Sequence, residues 1–367
     1  MIRNAGTIAV KPYRLRMQTP YRWSKGIQHV RAGLILRADL DGAVGWGEVA
    51  LPPHVDMPDA ALVATAEALI AGLDPGDAGF LADLDLRECP SRLRCGFSMA
   101  VLTARARSAG VPLSQFLGRE GQVIPDRVPV NDLIGDADPD VCVRRAGAAL
   151  ARGQDTVKMK CTVERDLDLA RIGAVRETFP AIKIRIDPNE SWPVDWAGEH
   201  LAAIARFDID YVEEPLPRGT PLSEYVALRR SQPVPIALDD SARSLYHIER
   251  IAEVGAADLL ILKAQRVGGP ERLAQIVRFA EAAGMTCTIT SSIETAAGLY
   301  MATHCAALTT PVVAAGNGTA RFYAENIGPP PPIVDGHMVV PVEPGLGFDP
   351  VDWWTSGKTY REPPQEA

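Results

Sequence analysis

From residue 128 onward, apolar and polar positions repeat one shape: a short run of β-branched and aliphatic residues, a charged or polar residue at its end, then an amphipathic stretch with helical spacing. The runs are "RVPVNDL", "DTVKMK", "KIRIDPN", "DIDYVEEP", "PIALDD", "DLLILK", "MTCTITS" and "PVVAAGNG", with helices such as "VERDLDLARIGAVRETF" and "PERLAQIVRFAEAAG" between them. From the second run on, their ends fall at Lys160, Asp187, Glu213, Asp239, Lys263, Thr290 and Asn317, a return every 24 to 27 residues. Eight such units predict an α/β fold, a (β/α)8 TIM-like barrel over residues 128–327, closed by right-handed crossovers. An open doubly wound sheet is the alternative reading of the same alternation.

Residues 1–127 follow a different pattern. "HVRAGLILRADLDGAVGWGEVAL" alternates as two strands joined through "DLDG", and "SMAVLTARARSAGVPLSQFLG" is a helix stopped by Gly and Pro. This predicts an α+β capping domain. The tail, residues 328–367, carries "GPPPPIVDGH" and "VEPGLGFDP"; its prolines cannot continue a barrel helix, so it is expected to return to the capping domain.

A formal charge of −8 argues against a general surface for nucleic acid or anionic membrane and points to a small-molecule partner. No apolar run reaches membrane-spanning length, and the N-terminus lacks the apolar core of a signal peptide, so a cytoplasmic location is expected. The six cysteines are scattered, with no CxxC pair, which predicts reduced thiols.

Active sites of such barrels sit at the C-terminal ends of the strands. There the chain places Lys160, Asp187, Glu213, Asp239 and Lys263 on consecutive strands. Taken singly, a lysine ending a strand is commonly solvated and an acid at a strand–helix junction commonly caps the helix. Together, three converging carboxylates form an all-oxygen site suited to Mg2+, with Mn2+ as the alternative. Strands two and six are opposite in a ring of eight, so Lys160 and Lys263 would face each other across the metal. That arrangement suits abstraction of a proton α to a substrate carboxylate, with the metal stabilising the enediolate.

In "KMK", Lys158 and Lys160 point the same way, so Lys158 is expected to tune and position Lys160. Alternation favours Glu213 over Glu214 and Asp239 over Asp240 as ligands, leaving Asp240 supporting the site from behind. Asn189, two residues past Asp187, would orient a ligand or water. Ser291, Ser292 and Asn317 at later strand ends are candidate substrate contacts; Trp23 in the "TPYRWSKG" loop could pack on a substrate ring or equally belong to the core of the capping domain. Gly268 and Gly269 could admit a phosphate at a helix N-terminus, but a plain strand-to-helix turn is the preferred reading.

These motifs resemble the enolase superfamily, specifically its muconate lactonizing enzyme subgroup: "KMK" is similar to its KxK, "DPN" to DxN, "EEP" to its metal-binding Glu, "LDDS" to Asp-Glu-Ser and "LKAQRVGG" to its second lysine. The resemblance spans nearly the whole chain, including "GWGE" and "PGLG". It implies that Lys160 and Lys263 are the acid/base pair and that Asp187, Glu213 and Asp239 bind Mg2+. Arg266 and the "RFYAENI…GH…PGLG" stretch look most like the o-succinylbenzoate synthase and N-succinylamino acid racemase group, the first activity belonging to menaquinone synthesis. Pro188 and Asp240 depart from the commoner Ala and Glu. "MTCTITS" lacks the histidine of a mandelate racemase, and "AAGNGT" lacks the DxD of a typical dipeptide epimerase. Other expectations left open are a cycloisomerase, another dehydratase or epimerase, and a non-catalytic metal-binding barrel; a homo-oligomer is expected.

Overall fold

A computed structural model describes residues 6–23 and 26–356, with residues 19–23 and 26 described through their backbone alone. Strands β1 (Thr7–Trp23), β2 (Gly26–Leu40) and β3 (Ala43–Ala50) form an antiparallel sheet in that order. At the "DLDG" turn Asp41 and Gly42 take φ of +50° and +85° between paired Leu40 and Ala43, the two-residue geometry that matches strand twist. Helices α1 (Asp59–Ile70), α2 (Phe80–Leu86) and α3 (Ser91–Ser108) cover one face, burying Leu34, Leu36, Val49, Phe97 and Val101 in a shared core. A short helix α4 (Leu113–Leu117) follows.

After β4 (Arg127–Pro129), seven strands form a parallel sheet in chain order: β5 (Asp132–Ile134), β6 (Thr156–Lys160), β7 (Lys183–Asp187), β8 (Ile209–Glu213), β9 (Ile236–Leu238), β10 (Leu259–Leu262) and β11 (Thr286–Ile289). The connecting helices are α5 (Pro139–Ala151), α6 (Arg165–Thr178), α7 (Val194–Ala205), α8 (Leu222–Ser231), α9 (Leu245–Val254), the pair α10 (Ala264–Val267) and α11 (Pro270–Ala282), and α12 (Ala296–Ala306). Helix α9 shows how local sequence sets the limits: Ser244 Oγ accepts from His247 N at its start, and Gly255 at φ +68° ends it.

The eighth run departs from the pattern. "PVVAAGNG" makes only two parallel bridges, Ala315 to Val130 and Gly316 to Thr290, because its Ala and Gly residues have little strand preference. Those bridges still matter: Ala315 N donates to Pro129 O, Asn131 N to Ala315 O, and Gly316 N to Ile289 O, so the segment joins the two edges of the sheet into a ring. A single 3-10 turn, Ala320–Phe322, follows in place of a longer helix. The tail then pairs β12 (Ile333–Val334) with β13 (His337–Val339) and β13 with β4. It ends in α13 (Val351–Thr355), with Trp46 Nε1 donating to Asp349 at 2.6 Å and Lys11 Nζ donating to the carbonyls of Trp353 and Trp354.

Alternation along the parallel strands separates two sets of side chains. Val157, Met159, Ile184, Ile186, Val212, Leu238, Leu260 and Leu262 pack outward beneath the helices in the largest core. Tyr211, Ala237 and Ile261 fill the inside of the ring, with the Arg185 guanidinium 4.8 Å from the Tyr211 ring centroid and donating to Ala314 O. Two residues further along each strand, this inner series reaches Asp187, Glu213, Asp239 and Lys263.

His304 on α12 is fully buried: its Nδ1 accepts from Ser114 N at 3.2 Å, and its Nε2 donates to Leu346 O at 3.1 Å. Burial pushes its pKa down to about 4, against which the Leu346 carbonyl works. The unfolded chain therefore binds the extra proton first as pH falls below the ordinary imidazole value, and folded stability declines from about pH 6.5 down through 4, by up to about 3 kcal/mol. Thermal midpoints across that window should fall more steeply for the natural chain than for His304→Gln; equal slopes would contradict this account.

Candidate active site

A cavity of about 840 Å3 opens at the C-terminal ends of the parallel strands, lined by Lys158, Lys160, Asp187, Glu213, Asp239 and Lys263 among others, and by Pro52, His54 and Arg92 from the N-terminal region. The side chains of Asp187, Glu213 and Asp239 are almost fully buried. Lys158 Nζ lies 2.7 Å from Asp187 Oδ2 and donates to both Glu213 oxygens at 2.7 Å. Lys160 Nζ donates to Asp187 Oδ2 at 2.6 Å and to Asn189 Oδ1 at 2.8 Å. On the other side, Lys263 Nζ donates to Asp239 Oδ2 at 2.5 Å and Arg266 Nη1 to Asp239 Oδ1 at 2.5 Å.

These contacts decide the charges. Burial would lower Lys158, but Asp187 and Glu213 outweigh it and raise its pKa well above the ordinary value, so it stays an ammonium. Burial would raise Asp187, but Lys158 and Lys160 hold it well below the usual carboxylate range; Asp239 is lowered in the same way by Arg266 and Lys263. Glu213 goes the other way, pushed up to about 7 by burial and by Asp187, against the pull of Lys158.

Among the described residues, no three His, Cys, Asp or Glu side chains are gathered as a ready metal cluster, because the acids are drawn onto the ammonium and guanidinium groups. The chemistry of the donor set nevertheless fits a hard divalent cation. Asp187, Glu213 and Asp239 are oxygen donors at the ends of adjacent strands β7, β8 and β9, and burial beside Asp187 leaves Glu213 raised even with Lys158 on both its oxygens. These three residues could hold Mg2+ once the lysines release them.

The other candidates fall into distinct places. Asn189, at φ +52°, donates from its backbone N to Asp187 Oδ1 and accepts from Lys160, so it fixes both. Asp240 faces Arg266 at 3.3 Å and Arg218 at 3.4 Å. Ser291 and Ser292 line the cavity, but the Ser291 hydroxyl is engaged with Glu294 and the following backbone. Asn317 does not line it: Gly316 and Gly318 do, and alternation turns the residue between them to the other side, where it is 1% exposed. The side chain of Trp23 lies outside the described residues, as do Ser24 and Lys25 of the same loop. Gly268 and Gly269, at φ +95° and +147°, form a tight turn packed on α3, where a Cβ on Gly269 would meet Ser98 and Glu271; this is a packing turn and not a phosphate cradle.

Sequence reasoning missed three supports. Glu214, read as turned away, is buried and accepts from Asp239 N, Ser241 N, Ser241 Oγ and Tyr225 Oη, holding the end of β9. Arg171, paired with buried Asp168, donates from Nη2 to Lys160 O at 2.9 Å and pins the end of β6. Glu48 of "GWGE" accepts from Tyr13 Oη, Thr295 N, Thr295 Oγ1 and Gly298 N, anchoring the start of α12 to the first sheet. Of these, the adjacent acids of "EEP" and the "GWGE" stretch gave a visible signal, and Arg171 gave none.

The chain matches the enolase C-terminal domain-like family over residues 141–353. It is 33% identical over 225 residues to an o-succinylbenzoate synthase from Thermobifida fusca, covering 60% of this chain and 68% of that protein. An aromatic dipeptide epimerase from Herpetosiphon aurantiacus is 29% identical over 325 residues, with 86% of this chain and 87% of that protein covered. The solved structure of a dipeptide epimerase from Enterococcus faecalis V583, complexed with Mg and the dipeptide L-Leu-L-Tyr, shares the fold at a TM-score of 0.84 and 22% identity, over 93% of this chain and 98% of that one. With more than half its length matched and lysines and acids ending its parallel strands, this chain belongs to the enolase C-terminal domain-like family and is an enzyme of the enolase superfamily.

Proposed function

We propose that this enzyme removes the proton α to a carboxylate, acting as an o-succinylbenzoate synthase, an N-succinylamino acid racemase, or both. One observation carries the reading: Lys160 at the end of β6 and Lys263 just past β10 flank three strands that end in Asp187, Glu213 and Asp239. Those three acids would hold Mg2+ or Mn2+, which supplies positive charge beside the substrate carboxylate as the C–H bond breaks. Lys158 stays protonated beside Asp187 and Glu213. Lys160, oriented by Asn189 and by the Arg171 grip on its carbonyl, takes the α-proton. In a racemisation Lys263 returns a proton from the opposite face; in a dehydration the departing hydroxyl receives one from an ammonium in the cavity. The reading takes residues 128–327 as the barrel, and residues 1–127 with the tail as the cap over its mouth. It also takes the protein as a cytoplasmic homo-oligomer acting on a small-molecule carboxylate.

Dipeptide epimerisation uses the same proton transfer. Against it stands the segment Ala314–Thr319, which offers no carboxylate to meet a dipeptide's ammonium group. The test is turnover of the succinyl cyclohexadiene carboxylate precursor of o-succinylbenzoate, with Mg2+ and with EDTA. Mg2+-dependent loss of water supports the synthase. No turnover, together with no α-hydrogen exchange on N-succinylamino acids, would remove both proposed activities.

A further inference from the structure

Arg92 lies in the first turn of α3 and lines the cavity from the N-terminal side. Its Nη1 donates to Ala50 O at 2.5 Å. Ala50 N donates in turn to Gln265 Oε1, and Gln265 Nε2 to Glu48 O, so the end of β3 is clamped to α10, the helix that follows Lys263 and carries Arg266. The guanidinium is thus mounted on rigid backbone, with most of its donors unspent.

Of the other arginines of the cavity, Arg266 has Asp239 and Asp240, Arg218 has Glu190 and Asp240, and Arg321 has Asp132, while Arg243 is exposed and donates to the Asp240 carbonyl. No carboxylate among the described residues pairs with Arg92, and the neighbouring Glu294 is engaged by the Ser291 hydroxyl. Burial, together with Arg31 and Arg266 nearby, pushes the Arg92 pKa down to about 10, which marks a missing counter-charge. A half-buried guanidinium with free, forked N–H groups beside a reaction cavity is built to receive a carboxylate.

We infer that Arg92 selects substrates bearing a second carboxylate remote from the reacting one. The inference rests on the proposed proton transfer and names the class of substrate it favours: a dicarboxylate. The cavity then has two anion-binding ends, one at the metal-competent acids and one at Arg92.

The test compares N-succinyl-L-phenylalanine with its N-succinamoyl analogue, in which an amide replaces the remote carboxylate. With Mg2+ present, the full chain should favour the succinyl compound in kcat/KM for α-hydrogen exchange. Arg92→Gln should cut that preference by about 10- to 100-fold, mainly through KM, and Arg92→Lys should restore part of it. Equal losses on both compounds, or no preference in the natural chain, would overturn the assignment. If the natural chain exchanges neither compound, the proposed reaction fails and Arg92 is judged by calorimetric titration with glutarate and its monoamide. Tighter glutarate binding that Arg92→Gln abolishes would sustain the site, and equal affinities would refute it. Thermal unfolding of both variants separates lost selectivity from lost folding.

Discussion

Lys160→Ala is expected to lower kcat for α-proton removal by about 10²- to 10⁴-fold, the span that a positioned general base contributes. The position is set from two directions. Arg171 donates to the Lys160 carbonyl at 2.9 Å, and Asp187 and Asn189 accept from its Nζ at 2.6 and 2.8 Å. Without the amine, the carboxylates remain in place but no group at the end of β6 can accept the proton. Lys160→Arg sharpens the test, because it keeps a long hydrogen-bond donor at the site while its guanidinium cannot act as a base near neutral pH. Both variants should fall into the same range in single-turnover measurements. A Lys160→Ala enzyme within tenfold of the natural chain would remove Lys160 from the chemistry.

Lys158→Met should destabilise the metal-free protein by about 3–5 kcal/mol, the cost of breaking a buried ion pair by removing one partner. Methionine keeps much of the volume, so the loss reports charge and not a cavity. Lys158 stands between Asp187 and Glu213, whose side chains are each 2% exposed, and among the described residues no other cation pairs with both acids. The pH dependence follows from Glu213, whose folded pKa of about 7 lies above its ordinary 4.5. A carboxyl raised on folding contributes stability at low pH and loses it as pH rises from about 4.5 through 7. Removing Lys158 takes away a charge that lowers both acids, so the deficit should be larger at pH 8 than at pH 5 in urea titrations with EDTA. A deficit under about 1 kcal/mol at both pH values would contradict the role given to Lys158.

What the sequence made legible depended on periodicity. The strand–helix return and the period-2 alternation place Tyr211 with Glu213 and Ala237 with Asp239 on the inner side, as the structure does. Lys158 and Lys160 do converge on a shared acid, Asp187, although Lys158 serves to hold carboxylates in its charged form rather than only crowd its neighbour. The strand-end reading misled at Asn317, because a Gly-flanked segment with two bridges carries no strand long enough for its register to be read from the sequence. Glu214 and Arg171 act through backbone groups brought near by the fold, and Arg92 donates to the carbonyl of Ala50, whose N–H donates to Gln265. Such contacts leave no local pattern.

The account's central claim is proton transfer between two lysines on opposite sides of one substrate carbon. It is tested most directly by incubating separate D- and L-N-succinylamino acids with the enzyme in deuterium oxide, with Mg2+ or EDTA, and following the α-hydrogen by NMR. The account predicts Mg2+-dependent exchange of both enantiomers in the natural chain, with Lys160→Ala and Lys263→Ala each abolishing exchange of a different enantiomer. Exchange that ignores EDTA, or a variant that still exchanges both enantiomers, would contradict it.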